Sequence, residues 1–220
     1  MILAAGRGER MRPLTDTCPK PLLPVAGKPL IVWHLERLTR CGFREVVINH
    51  AHLGDQIEAV LGDGSAWGLS IQYSPEPQGA LETAGGIANA LPLLGNDPFL
   101  VINGDIFCDW NPDASQPGAN DLAHLVLVDN PEHNTQGDFA LANGRVHSNG
   151  APQFTFAGIG IYRPELFAGI ERGRPAKLAP LLRNAMTANK VSGEHHAGRW
   201  TDVGTPQRLT ELDAMLRGAT

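Results

Sequence analysis

The chain has 220 residues, 42% of them hydrophobic, and a formal net charge of −5. That is enough for one domain, residues 1–220, with a sizeable core. The acidic balance argues against nucleic-acid partners, and no run of ~18 apolar residues offers a membrane span.

A short apolar run, Met1 to Ala4, reads as a strand. It runs into a loop with Gly6, Gly8, Arg7, Arg10 and Arg12. Lys20 follows between Pro19 and Pro21, which hold it on a stiff, extended backbone. Glycines let a backbone approach a ligand and expose its N–H groups, and such groups beside cations suit a polyphosphate. The loop matches neither better-known phosphate pattern. Met11 stands where G-x-G-x-x-G needs its third glycine, and no G-x-x-x-x-G-K-[ST] occurs. A bland alternative is a solvated loop whose arginines face water.

Leu30 to Cys41 has helical apolar spacing, and Gly42 can end it. Glu45 to Asn49 is a buried strand, Leu53 to Leu61 a short helix, and Leu69 to Tyr73 an alternating strand. Thr83 to Leu94 is a helix, and Phe99 to Asn103 an apolar strand ending in Asn103-Gly104-Asp105. This order predicts an α/β fold, a Rossmann-like mixed, mostly parallel sheet flanked by helices. In such sheets ligands sit beyond the carboxyl ends of the strands. The loop after Ala4, the loop after Tyr73 and the Asn103-Gly104-Asp105 turn all lie there. Asp105, near a phosphate loop, is a natural Mg²⁺ ligand; Asp109 competes for that role, and a turn aspartate bonding its own backbone is the plain alternative.

The second half is less regular. Residues 111–121 read as a loop and Ala123 to Val128 as a strand. Ala142-Asn143-Gly144 turns a hairpin between 139–141 and 146–147. Phe154 to Tyr162 is a long strand containing Gly158 and Gly160, which suggest a bulge or a close backbone approach. Lys177 to Ala188 and Pro206 to Leu216 are helices, the latter capped by Thr205.

Residues 1–40 hold seven Lys/Arg and three Asp/Glu, a net of +4, while the remainder sums to −9. A basic start on an acidic chain fits a small anionic ligand. Cys18, Cys41 and Cys108 form no C-x-x-C and read as free thiols in a reducing cytoplasm. Met1 opens into a strand without a basic-then-apolar leader, which also predicts a cytoplasmic protein.

The string L-A-A-G-x-G-x-R-M-x-P-L-T, followed by P-K-P-L-x-P-V-x-G-K-P-L, resembles the opening of the sugar-1-phosphate nucleotidyltransferases. W-x-D-V-G-T-P at Trp200 is similar to that family's late metal-binding segment. The resemblance implies a transferase in which Arg10 and Lys20 act at the reacting phosphates. It adds Ala5, Gly6, Gly8, Glu9 and Asn103 to the nucleotide site. Pro75 to Gly86 resembles the base-binding loop, implicating Gly79, Glu82 and Gly85; Glu82 replaces a glycine that many members carry. Asp138, Gly158 and Trp200 match sugar-phosphate segments, and Asp202 joins Asp105 on Mg²⁺. The V-E-K-P stretch of many members is absent.

S-P-E, L-E-T-x-G-G-I, A-L-P-L-L-G, L-A-H-L-V-L-V-D-N-P, G-D-F and K-L-A-P-L-L-R are most similar to one branch of the family. That branch transfers a uridylyl group from UTP to N-acetyl-α-muramate 1-phosphate in peptidoglycan recycling. The implied partners are small molecules, with no nucleic acid or membrane, acting on a monomer or weak dimer. Arg163, Lys177 and Arg199 are candidates for the lactyl carboxylate. Alternatives are a mannose- or glucose-1-phosphate nucleotidyltransferase using GTP or UTP, a silent nucleotide-sugar sensor, and a dinucleotide-dependent oxidoreductase.

Overall fold

The structure is a computed structural model that describes residues 1–77, 81–112 and 117–218. The first elements in chain order are β1 (Ile2–Leu3), β2 (Pro24–Val25), β3 (Lys28–Pro29), α1 (Leu30–Arg40), β4 (Glu45–His50), α2 (Gly54–Leu61) and β5 (Ser70–Pro75). Then come α3 (Glu82–Leu94), β6 (Phe99–Asn103), β7 (Ile106–Cys108), β8 (Ala123–Val128), β9 (Phe139–Ala142) and β10 (Arg145–His147). The last are β11 (Gln153–Tyr162), α4 (Leu178–Thr187), β12 (Val191–His195), β13 (Trp200–Asp202) and α5 (Pro206–Gly218). The chain divides into two compact units, neither continuous in sequence.

The first unit comprises Ile2–Ala80, Asn103–Asp109 and Arg199–Thr220. Here β1, β4 and β5 pair in parallel, with Ile2 opposite Ile48 and Ile48 opposite Tyr73. Parallel neighbours need crossovers, which α1 and α2 supply. Val46, Val47 and Ile48 are all buried, as expected of a strand covered on both faces. Helix α1 turns Leu30, Ile31, Leu35 and Leu38 inward. β2 and β3 are joined by Ala26 and Gly27, whose φ values of 47° and 85° are the left-handed pair a two-residue hairpin turn requires.

One apolar cluster ties the functional segments together. Met11, Leu23, Val25, Leu30, Val203, Leu212 and Leu216 are all buried in it. Met11 anchors the glycine loop, Leu23 and Val25 the Lys20 segment, and Val203 the strand that ends in Asp202. Fully burying a side chain of this size contributes about 2 kcal/mol. Helix α5 closes the cluster and also accepts the Ala26 N–H on Asp213 Oδ1, at 2.7 Å. The Arg217 guanidinium, the first cause, and that N–H, the second, hold the Asp213 carboxyl below its ordinary value.

The second unit comprises Met1, Leu81–Ile102 and Trp110–Gly198. It is mainly antiparallel: β11 runs against β6, β8 and β9, and β10 against β9 and β12. Only β12 and β8 pair in parallel there, among the described strands. The expected turn is a two-residue loop, Asn143–Gly144, with φ values of 51° and 72°. Strands β7, β12 and β13 escaped the sequence reading. The first and last are three residues long, and Val-Ser-Gly-Glu-His lacks strand alternation.

The face of α1 turned toward β7 carries two buried polar groups. Arg37 donates from Nη1 to the Cys108 carbonyl, and its Nη2 lies 3.4 Å from His34 Nδ1. A guanidinium can only donate, so Nδ1 accepts. Burial first, and the Arg37 charge second, push the His34 pKa down to about 3. The unfolded chain therefore takes up this proton near pH 6.5, while the folded chain stays neutral. Stability from this source is intact above pH 6.5 and is lost as pH falls toward 3, at up to about 1.4 kcal/mol per pH unit. Urea unfolding of His34→Gln between pH 7 and 4 should fall less steeply with acid than the parent; parallel curves would show that His34 is not held neutral.

Candidate active site

The glycine loop stands open. Gly6 has no heavy atom within 4 Å of where a Cβ would lie. Among the described residues, the N–H groups of Gly6, Arg7 and Gly8 make no hydrogen bond. Gly8 has φ +70°, and a Cβ there would sit 2.9 Å from Thr15 Cγ2. Buried Thr15 fixes the loop by donating its hydroxyl to the Gly8 carbonyl, at 2.8 Å. Its own carbonyl accepts from Arg7 Nη1 at 2.8 Å and lies 3.0 Å from His52 Nε2.

The three loop arginines divide. Arg7 and Arg12 both bind Asp16, at 3.2 and 2.8 Å. Burial tends to raise the Asp16 pKa, but hydrogen bonds and charge from Arg7 and Arg12 prevail and lower it. Arg10 is exposed and has no ion pair or hydrogen bond among the described residues. Glu9 and Ala5 line the same loop, Glu9 exposed and within 3.9 Å of Arg7.

Lys20 begins a short 3₁₀ turn, Lys20–Leu22, after an extended Pro19. The lysine is only 8% exposed, and its Nζ lies 2.6 Å from Asp105 Oδ2. Asp105 sits in the turn between β6 and β7, directly after Asn103 and Gly104. Gly104 donates to the Leu3 carbonyl at 2.8 Å, and a Cβ on it would stand 2.6 Å from that oxygen. Only glycine lets the turn lie this close to β1.

Antiparallel pairing brings β13 beside β7, with Ile106 opposite Asp202 and Trp200 opposite Cys108. Val203 N–H donates to the Asp105 carbonyl at 2.8 Å. Asp105 and Asp202 thus share one end of the two-stranded ribbon. Asp202 is bound by Arg208 Nη1, so each carboxylate is neutralised by its own side-chain cation. Asp109 lies at the other end of β7, about 13 Å away at the rise of an extended strand.

Sequence reasoning missed the residues that brace this site. Asn49 Oδ1 accepts the Ala4 N–H at 2.9 Å, and its Nδ2 donates to Glu76 at 2.6 Å. Asn49 and Glu76 are both buried. A polar residue closing the apolar run of β4 was the available signal. Arg208, six residues after Asp202 on the first turn of α5, carried no such signal. Thr205 does cap α5, accepting Arg208 N–H at 3.3 Å.

Ala5, Gly6, Gly8, Glu9, Arg10, Lys20, Asn103, Asp105, Trp200 and Asp202 all belong to the first unit. Gly79 lies outside the described residues. The other assigned positions belong to the second unit. Glu82 opens α3 at φ +55°, the left-handed region that favours the glycine it replaces. Gly85 gives its N–H to the Ala176 carbonyl at 3.1 Å, as does Ala84 at 2.9 Å. That N–H is not open to a base edge, and a Cβ on Gly85 would press on the backbone at 174–176. Thr83 does not cap α3; the Ala176 carbonyl serves in its place. Asp138 Oδ2 accepts the Phe156 N–H at 2.8 Å, just before the β11 bulge that contains Gly158 at φ +72°. Arg163 spends Nε on the Asp121 carbonyl, at 2.9 Å, whereas Lys177 and Arg199 are exposed.

The family model described as nucleotidyl transferase matches residues 1–217. The chain belongs to the nucleotidyltransferase family. It is an enzyme of that family, as the resemblance at its N-terminus implied. It is 62% identical to the N-acetylmuramate alpha-1-phosphate uridylyltransferase of Neisseria meningitidis serogroup B, over 98% of this chain and 96% of that one. It is 35% identical to the enzyme of the same name from Caulobacter vibrioides, covering 100% and 97%. The fold matches a putative glucose-1-phosphate thymidylyltransferase from Bacillus anthracis, with TM-score 0.84, 23% identity, and 98% and 94% coverage. No helix among the described residues is long and apolar enough to cross a membrane.

The brace on β1 carries a direct expectation. Asn49→Ala would leave the buried Ala4 N–H without its acceptor, which costs about 1–3 kcal/mol. Thermal unfolding should show a Tm several degrees lower; an unchanged Tm would mean that another group satisfies Ala4.

Proposed function

We propose that this nucleotidyltransferase moves the uridylyl group of UTP onto N-acetyl-α-muramate 1-phosphate, giving UDP-N-acetylmuramate and pyrophosphate. One observation carries the substrate pair: the 62% identity, over nearly the whole of both chains, to the Neisseria enzyme. Such a reaction would serve peptidoglycan recycling in the cytoplasm.

The chemistry rests on residues of the first unit. A phosphate oxygen of the sugar 1-phosphate attacks the α-phosphorus in line. The bond from that phosphorus to the bridging oxygen of the β-phosphate breaks, and pyrophosphate leaves. A phosphate monoester is largely dianionic at pH 7, so no strong base is needed. Catalysis then rests on positioning and charge neutralisation. The unbonded N–H groups of Gly6 to Gly8 cradle the triphosphate, and the unpaired Arg10 takes the leaving pyrophosphate. Lys20 leaves Asp105 for phosphate oxygens at the reacting centre. Asn103 and the segment holding Gly79 and Glu82 serve the nucleoside, and Asp138, Gly158 and Trp200 the sugar phosphate.

The carboxylates of Asp105 and Asp202 are hard oxygen donors, each already balanced by a cation, and that donor set suits Mg²⁺. When bound there, Mg²⁺ would neutralise charge on the phosphate oxygens. The side chains' part is to hold it beside the loop.

Pyrophosphate release tests the reading with UTP, GTP, CTP and dTTP set against N-acetylmuramate, N-acetylglucosamine, glucose and mannose 1-phosphates. Release confined to UTP with the muramate compound is expected; release with another pair would overturn the substrate. Lys20→Met should lower kcat/KM at least ~10²-fold, the scale of losing an electrostatic stabiliser. A loss below tenfold would make Lys20 a structural partner of Asp105 alone. Asp105→Asn should lower kcat far more than it weakens nucleotide binding, and near-normal turnover at saturating Mg²⁺ would remove it from the metal.

A further inference from the structure

Asp202 meets Arg208 in a setting built for the pair. Arg208 Nη1 donates to Asp202 Oδ1, and both side chains are about four-fifths buried. Thr205 Oγ1 accepts from the Arg208 backbone N–H at 3.3 Å and lies 3.5 Å from its Nε, which fixes the stem of the side chain. The pair lies directly over Gly204. A Cβ at that position would stand 2.5 Å from Arg208 Nη2 and 2.9 Å from Asp202 Oδ2. Gly204 has no left-handed φ that would demand glycine. The glycine there is explained by the space that the ion pair fills.

Resting on the reading of Asp202 as a metal ligand, we propose that Arg208 is an internal competitor for the divalent cation at that carboxylate. The guanidinium neutralises Asp202 and places a positive charge beside any cation that approaches it. A free cation therefore meets a balanced, partly desolvated pair and binds weakly. A cation arriving on a triphosphate brings anionic oxygens that accept the displaced guanidinium. Arg208 thereby couples metal entry to nucleotide entry, and is a positioning residue for the metal carboxylate.

The test is Mn²⁺ binding to the nucleotide-free full chain, read by electron paramagnetic resonance, which requires no turnover. Arg208→Gln should bind Mn²⁺ at least about tenfold more tightly than the parent, since it removes both the competing pair and the repelling charge. Gly204→Ala, which drives the pair apart without removing it, should move affinity in the same direction. Arg208→Lys, which keeps a cation, should stay close to the parent. Circular dichroism establishes that each variant is folded. Affinity in Arg208→Gln equal to or weaker than the parent's would overturn the proposal. Adding Asp202→Asn to Arg208→Gln separates the two readings. Loss of the gain places the competition at Asp202, as proposed. A gain that survives overturns both this proposal and the assignment of Asp202 to the metal. A site that needs Asp202 yet shows no gain from Arg208→Gln sinks the competition alone.

Discussion

A buried lysine side chain, only 9% exposed, needs an anion, and Lys20 finds it in Asp105, 85 residues further along the chain. Much of the first unit serves that contact. Pro19 sets the backbone before Lys20, and Leu23 and Val25 bury the segment after it. Gly104 packs the opposite partner against the Leu3 carbonyl, and Val203 holds the Asp105 carbonyl from β13. Removing the Asp105 charge would leave the buried Lys20 ammonium unpaired, which costs several kcal/mol, whereas the Asp105 carboxylate is 42% exposed and keeps its access to water. The pair therefore joins the Lys20 segment to the Asp105 turn and sets a cation against a carboxylate.

The loop distributes its arginines by the same rule. Arg7 and Arg12 spend their charge on Asp16, which shapes the loop. Arg10 has no anion of its own among the described residues, and Met11 beside it is locked in the core. One side chain is buried and holds the backbone still, and its neighbour is exposed, as the proposed contact with pyrophosphate requires. Arg208 repeats the Lys20 arrangement on the second carboxylate, and the emptied side of Gly204 makes room for it.

Most of the helices and longer strands were legible in the sequence because periodicity and turn residues report local preferences. The Asn143–Gly144 hairpin and the Thr205 cap are of that kind. The short strands β7 and β13 were not, since three residues carry no period and their pairing is decided by tertiary contact. The antiparallel second unit was hidden for a similar reason: the direction of a partner strand is set by connections, not by composition. At the candidate site, residue type and strand-end position pointed to the Gly6–Gly8 loop with its arginines and to Asp105, while the roles of Arg10 and Lys20 came from the family likeness. Asp202 also needed a family likeness. Asn49 left only the faint mark of a polar residue closing an apolar strand, and the parts of Thr15 and Arg208 needed coordinates, because each acts through a tertiary partner or the space over a glycine. At Gly85 the sequence could not show that the N–H is committed to the Ala176 carbonyl.

The decisive measurement is a structure of the ternary complex with Mg²⁺ and a non-hydrolysable UTP analogue, read at Lys20. Nζ should leave Asp105 Oδ2 and lie within about 3 Å of a phosphate oxygen. Lys20 still seated on Asp105, with the phosphates held by other groups, would contradict its proposed role.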